Sequence, residues 1–275
     1  MKAMIFAAGM GTRLKPITDT MPKALVPVCG RPLLSHVVGK LHSAGFSDFV
    51  INVHHFAQQI RDYVKSEEFV TSIGSGSDGQ EVKISFSDET DLLRETGGGI
   101  RHAAALLNDG EPLLIHNVDI LSNLDVENFY KKHCENYDTV LATLLVSDRK
   151  TERYLLFDNE DNLVAWMNIK TGEVKSPFLE LRREAIIGNE GNEFDYEPFL
   201  QEYGLKKYAF AGVHVLSPEA FRLMSDKPEK FSIITFYLSY CNKYQIKAHV
   251  EDNLTLVDVG KLDSLQLAEE MAKQL

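Results

Sequence analysis

Gly9, Gly11, Thr12, Arg13 and Lys23 lie close together near the start of the chain, in MKAMIFAAGMGTRLKPITDTMPKALVPV. Glycines let the backbone come close to a ligand, and successive amide N–H groups can point at one anion. Arg13 adds a planar, permanently charged fork suited to phosphate oxygens. Lys23 follows Pro22 and adds a point charge that can swing toward the same phosphates. The chemistry predicted here is that of a phosphate cradle. Two better-known cradles are excluded. The string G-x-x-x-x-G-K-[ST] does not occur, and in G-x-G-x-x-G the third glycine position falls on Leu14.

Other chemically capable residues lie further along. The stretch LRETGGGI, residues 93–100, places Thr96 before Gly97, Gly98 and Gly99. Alone, such a run is either a flexible turn or a place where backbone meets ligand. Residues 112–116 are an apolar run followed by Asn117, Val118 and Asp119. A carboxylate just past the carboxyl end of a parallel strand stands where open α/β sheets place ligands. The same residue type also caps helices and builds turns. Asp258 lies in LVDVG, and Gly212 in YAFAGVHVL. A strand glycine leaves room for a ligand or for a closely packed neighbour. His54 and His55 are adjacent, and adjacent side chains on an extended chain point opposite ways. They are expected to end a strand, not to hold a metal. No Ser-His-Asp or Cys-His constellation is evident.

Residues 6–28 resemble the signature of the sugar-phosphate nucleotidyltransferases, AAG-x-G-x-R-x-x-P-x-T followed by PK. The resemblance implies that Ala8, Gly9, Gly11 and Thr12 hold the triphosphate of an NTP, with Arg13 and Lys23 neutralising its charge. Thr96, Gly97 and Gly98 match the family's T-x-G element, which borders the base, and Glu89 is an upstream acid facing it. The form ETGGGI looks especially like the N-acetylmuramate 1-phosphate uridylyltransferases. Asn117, Val118 and Asp119 match N-G-D, whose aspartate holds magnesium, with valine where glycine is usual. Asn117 then lies near the transferred phosphate. Residues 256–260 match W-x-D-V/I-G, making Asp258 the second magnesium ligand, with Leu256 close to the tryptophan position. Gly212 matches the F-x-G-I strand beside the sugar. Tyr154 and Asn168 fall in sugar-facing positions, where the family commonly has glycine and glutamate-lysine.

By the same resemblance, Arg13, Lys23, Asp119 and Asp258 are the catalytic set. The implied reaction joins an NTP and a sugar 1-phosphate, giving an NDP-sugar and pyrophosphate with Mg2+. UTP and an N-acetylmuramate 1-phosphate-like sugar are favoured. Relatives use GTP with mannose 1-phosphate, or CTP with phosphocholine. A catalytically inactive nucleotide-sugar-binding subunit is the alternative from another class. A dinucleotide-dependent oxidoreductase is disfavoured by the missing glycine.

These residues need elements to position them. The pattern predicts a buried strand at residues 3–8, a helix at 32–44, a strand at 49–53 and a helix at 56–64. A Gly/Ser-rich loop at 73–79 leads to an alternating strand at 82–86. A helix is expected over 100–107 after the glycines. Asp125 is expected to cap a helix at 126–134. Strands follow at 139–146, 153–157, 163–167, 208–216 and 245–250. Helices are expected after Ser217 as N-cap, over 233–244 and over 261–275. The predicted fold is α/β: a Rossmann-like, mostly parallel sheet flanked by helices, with a smaller mixed β extension over the sugar. A single domain is expected, with a nucleotide half at about 1–120 and a sugar half at about 121–275. Residues 170–207, which include IIGNEGNEFDYEP, form a polar insertion without clear periodicity. A long loop of this kind suits a lid or a subunit contact, so a homo-oligomer stays open.

The chain has 275 residues, with 44% hydrophobic and 25% charged residues, ordinary values for a globular protein. A net charge of -11 argues against a nucleic-acid partner. Phosphates must then be drawn in by a local cationic site. Cys29, Cys134 and Cys241 are far apart and form neither a metal spacing nor a disulfide framework. A reducing cytoplasm is the expected setting. No signal peptide and no membrane-length apolar run is read.

Overall fold

The computed structural model describes residues 1–74, 76, 81–184 and 195–273. At its centre is the strand Lys2–Phe6, whose Ala3, Met4 and Ile5 are fully buried. Successive side chains of a strand point to opposite faces. Accordingly Ala3 and Ile5 join one apolar cluster and Met4 joins another. A strand covered on both faces needs a continuous apolar run, which is why KAMIF shows no alternation.

Lys2–Phe6 pairs in parallel with Asp48–Val53 on one side and Leu113–Asn117 on the other. Lys83–Asp88 continues the parallel set beyond Asp48–Val53. Lys206–Leu216 runs antiparallel to both Leu113–Asn117 and Val140–Ser147. Gln245–Val250 then lies parallel to Val140–Ser147. The sheet is therefore mostly parallel, with one reversed strand joining residues before and after 120. This is a Rossmann-like α/β arrangement.

Helices cover both faces. Leu33–Ser43, Val126–Cys134 and Asp263–Ala272 bury Leu34, Phe129 and Met271 in the first cluster. Glu95–His102, Glu219–Met224 and Ile233–Tyr240 bury Ile100, Met224 and Phe236 in the second. Local chemistry fixes their ends. The Asp125 carboxylate accepts from Asn128 N–H at 3.0 Å, filling one of the unpaired donors of a first turn. Three short strands, Arg153–Phe157, Leu163–Asn168 and Val174–Lys175, form an antiparallel extension. It joins the long strand through residues 206–208 and has its own apolar cluster, including Leu156, Met167 and Phe199.

Three local expectations are corrected. The helix after the glycine run begins earlier, at Glu95, and breaks after His102 before Ala104–Leu107. Ser217 does not supply a side-chain cap: its hydroxyl bonds to the Val140 and Tyr137 carbonyl oxygens. The helix from Ile233 stops at Tyr240, where a turn leads into the strand at Gln245. Within 170–207 the described residues form Val174–Lys175, a short turn of helix at Leu179–Leu181, and the helix Glu197–Tyr203. Residues 185–194, which hold most of IIGNEGNEFDYEP, lie outside the described residues, as do 75 and 77–80 of the Gly/Ser-rich loop.

Candidate active site at the carboxyl ends of the parallel strands

The four parallel strands deliver Ala7, Asn52, Glu89 and Asn117 to one edge, and a cleft of about 390 Å³ opens there. It is lined by Ala8, Gly9, Gly11, Thr12, Arg13 and Lys23 from the first loop. Asn52, Glu89, Thr96, Asn117 and Asp119 come from later segments. Gly11 takes φ +63, and a Cβ there would stand 2.8 Å from Thr18 Cγ2. Glycine is therefore required at that bend. The Thr18 hydroxyl donates to the Gly11 carbonyl at 2.8 Å and fixes it.

Asn52 organises the first loop, and the sequence reading passed over it. Its Oδ1 accepts from Ala7 N–H at 2.7 Å and Ala8 N–H at 3.2 Å. Its Nδ2 donates to Glu89 Oε1 at 2.8 Å. Arg94 N–H donates to Glu89 Oε2 at 3.0 Å. Glu89 is fully buried, so both its oxygens are held while its position on the cleft wall is fixed. The available signal was a polar residue inside the otherwise apolar run FVINV. Glu95, also on the cleft, adopts φ +60, an uncommon conformation for a residue with a Cβ.

The charged groups meet at the other end of the cleft. Lys23, 8% exposed, forms an ion pair with Asp119 Oδ2. Val259 N–H donates to the Asp119 carbonyl at 2.8 Å. The strand Leu256–Asp258 pairs antiparallel with Ile120–Ser122, in register Asp258 with Ile120. This pairing brings Asp258 from the far end of the chain to Asp119. A Cβ on Gly260 would stand 2.7 Å from Asp258 Oδ1 and 2.9 Å from Arg13 Nη2. The bare glycine thus lets Arg13 and Asp258 converge on one spot.

Asp258 Oδ1 is buried and has no hydrogen-bond partner among the described residues. An orphaned buried carboxylate oxygen suits a cation. Magnesium needs only one or two protein carboxylates beside phosphate oxygens and water. The pair Asp119 and Asp258 is compatible with such an ion. Beneath them, His116 is buried and its Nδ1 lies 2.7 Å from the Asn117 carbonyl. Burial pushes its pKa down to about 4, so it stays neutral at pH 7.

Other expected residues stand elsewhere. Gly97 and Gly98 do not line the cleft. Both donate their N–H groups to the Phe231 carbonyl, at 2.9 and 3.0 Å. Those are first-turn donors that a ligand could otherwise have used. A Cβ on Gly97 would lie 2.3 Å from the Phe231 ring, and one on Gly98 2.2 Å from the Glu229 carbonyl oxygen. The glycines serve close helix packing. Thr96 does line the cleft, although its hydroxyl accepts from Ile233 N–H at 2.9 Å.

Gly212, at φ +75, stands against Asn117: a Cβ would lie 2.6 Å from Asn117 Nδ2. Tyr154 and Asn168 do not line this cleft, since both are engaged within the extension. The Tyr154 hydroxyl accepts from Thr151 N–H at 3.1 Å, and Asn168 Oδ1 accepts from Lys170 N–H at 3.0 Å. His54 Nδ1 bonds to the Glu89 carbonyl at the strand end. Among the described residues, no group of three or more His, Cys, Asp or Glu could hold a metal, and no helix is long and apolar enough to cross a membrane.

A mostly parallel α/β sheet with a cationic glycine loop and two aspartates brought together by the Asp258–Ile120 pairing defines a nucleotide-binding class of protein. A family model described as nucleotidyl transferase matches residues 2–274, and the chain belongs to that family. Over 117 residues it is 41% identical to the N-acetylmuramate alpha-1-phosphate uridylyltransferase of Caulobacter vibrioides, covering 42% of this chain and 45% of that relative. Over 240 residues it is 28% identical to mannose-1-phosphate guanyltransferase 2 of Candida glabrata, covering 86% of this chain and 55% of that one. The chain thus spans about half the length of the curated relatives it matches. A crystal structure of UDP-glucose pyrophosphorylase complexed with UDP-glucose shares the fold, with a TM-score of 0.69 at 17% identity over 99% of this chain and 98% of that one.

Proposed function

We propose that the protein joins an NTP to a sugar 1-phosphate, releasing pyrophosphate, with UTP and an N-acetylmuramate 1-phosphate-like sugar as the favoured pair. The observation that carries this reading is the convergence of Arg13 and Lys23 with Asp119 and Asp258 at one end of a cleft. The favoured pair follows from the similarity to the Caulobacter vibrioides uridylyltransferase. GTP with mannose 1-phosphate is the second reading, supported by the longer match to the Candida glabrata protein.

The reaction must bring two anions together. Two unit charges at about 4 Å repel by about 4 kcal/mol at an effective dielectric of about 20. Glycine-loop amides and Arg13 would bind the triphosphate and hold it in line. Lys23 would turn from Asp119 toward phosphate oxygens. An oxygen of the sugar phosphate would then attack the α-phosphorus, and the bond from that phosphorus to the bridging β-oxygen would break. The electron pair leaves with pyrophosphate, whose charge Arg13 stabilises. The nucleophile is already an anion, so no general base is needed. Asp119 and Asp258 would hold magnesium, which when bound supplies Lewis-acid neutralisation of phosphate charge. Positioning and electrostatics do the rest.

Pyrophosphate release from a panel of NTP and sugar 1-phosphate pairs tests the reading. Turnover should be highest with the uridine pair, and Asp119→Asn and Asp258→Asn should each lower kcat about a hundredfold or more. Tight binding of a nucleotide sugar with no turnover on any pair would make the protein a binding subunit. Near-normal rates in either variant at saturating magnesium would remove that aspartate from the metal site.

A further inference from the structure

A second cavity, of about 440 Å³, lies apart from the cleft, between the helix Leu33–Ser43, the end of the helix Glu67–Ile73 and the strand Ile120–Ser122. Arg31 and Lys40 both line it, and among the described residues no acidic side chain does. Neither cation has a carboxylate within 4.0 Å among the described residues. In a chain of net charge -11, two cations on one cavity wall with no carboxylate in contact among the described residues are not the average of the surface.

The cations are partly withdrawn from water. Arg31 lies against the helix where Gly39 has no side chain: a Cβ there would stand 2.2 Å from Arg31 Nη2. That contact lets Nη2 donate to the Ser35 carbonyl at 2.5 Å, while Arg31 Nε is buried without a partner among the described residues. Lys40 Nζ donates to the Ser122 carbonyl at 2.8 Å. The Ser122 hydroxyl, on a residue 1% exposed, also has no partner among the described residues. Burial pulls the pKa of both cations down, opposed for Lys40 by the charge of Asp125 and for Arg31 by Tyr63. His36, between them in sequence, is lowered by burial and by Arg31, and so is neutral at pH 7. Two partly desolvated cations with no contacting carboxylate among the described residues, beside two unsatisfied polar atoms, cost free energy that a bound anion would offset.

We propose that this cavity binds a small phosphorylated ligand, with Arg31 and Lys40 at the phosphate and the Ser122 hydroxyl as an additional polar contact. Arg and Lys with a hydroxyl are phosphate-binding chemistry. The volume exceeds that of a bare phosphate, and Val37, Ile73 and Leu121 give the remainder an apolar wall, as in sites for organic ligands. The cavity also adjoins the cleft's own scaffold. Ser122 pairs with Leu256 in the ribbon that carries Asp258, and His116 precedes Asn117 on the parallel strand Leu113–Asn117.

The test separates the cavity from the cleft. In an Arg13→Ala, Lys23→Gln double variant the cleft has lost both cations, and calorimetric titrations use inorganic phosphate, pyrophosphate and uridine monophosphate as separate probes. At least one probe should bind saturably with one equivalent per chain. Adding Lys40→Gln should weaken that binding about tenfold or more, as expected on losing a charged hydrogen bond, while Lys40→Arg should retain it. Arg31→Gln carries the same expectation if Lys40→Gln does not fold. Preference for inorganic phosphate over the nucleotide would make the occupant a free anion, and the reverse a nucleotide. Failure of all three probes to bind the double variant overturns the proposal. So does binding unaltered by both substitutions in proteins whose circular dichroism shows an intact fold.

Discussion

At the scale of single residues, the first loop separates glycines the fold needs from glycines a ligand needs. Gly11 has φ +63 and no space for a Cβ, whereas nothing lies within 4 Å of a Cβ built on Gly9. Gly9 is exposed and lines the cleft. Gly9→Ala should therefore leave stability unchanged within about 0.5 kcal/mol, as surface changes do. It should nevertheless weaken nucleotide binding, because the added methyl stands where backbone must approach phosphate. Urea denaturation and a nucleotide titration on the same protein read the two effects separately. A parallel loss of stability and binding would mean that Gly9 is structural. Gly11→Ala supplies the contrast, since it should lower both together.

At the scale of elements, the glycine run shows what spacing conveys and what it does not. The strand at residues 2–6 and the glycine loop after it could be read directly, because a strand buried on both faces and a turn at positive φ each demand particular residue types. The ribbon of residues 120–122 and 256–258 was much less legible. Its two halves are far apart in sequence, and only a matching motif suggested that Asp258 reaches Asp119. Asn52 was missed because its role is to bond to another segment's amides, which no local pattern records. Gly97 and Gly98 are ambiguous for a related reason. Close approach to a ligand and close approach to a protein backbone require the same residue, and here the neighbour is the segment 229–231. This assignment predicts that Gly98→Ala destabilises the protein by about 1–3 kcal/mol through overpacking, because the clash is with backbone and not with a movable side chain. The urea midpoint should fall, and nucleotide affinity measured well below that midpoint should stay near its starting value. Loss of affinity with full stability would return Gly98 to the cleft.

At the scale of the whole molecule, three of the buried histidines, His116, His133 and His214, have their pKa pushed down by burial, and they should dominate its response to acid. His214 is packed against Tyr237 and Phe210, and burial with the nearby His116 pushes its pKa down to about 3. His116 and His133 are each pushed down to about 4 by burial. His133 bridges two hydroxyls, Thr143 at 2.8 Å and Ser217 at 3.1 Å. Ser217 can donate its only proton to a carbonyl, so the arrangement uses His133 as a neutral ring with Nε2–H donating to Ser217. All three folded-state values lie below the ordinary 6.5. As pH falls through 6.5 the unfolded chain takes up protons that the native chain refuses. Stability is therefore fully present above that value, declines from about 6.5 to about 4, and has lost the whole contribution below the folded values. For His133 alone, a shift of this size corresponds to about 3 kcal/mol. The carboxylates of Asp88 and Glu219 are held low by their hydrogen bonds to Thr90 and Arg222, so acid removes their contributions as well. Relief of repulsion among the excess negative charges works the other way, but it is spread over the surface and screened by salt. The buried histidines should win. Urea midpoints measured from pH 7.5 to 5 in moderate salt should fall steadily. A His133→Gln variant, whose amide can still bond to both hydroxyls, should show a shallower fall than the parent. An equal slope in the two proteins would mean that His133 does not titrate with folding, and that the acid response originates outside this cluster of buried rings.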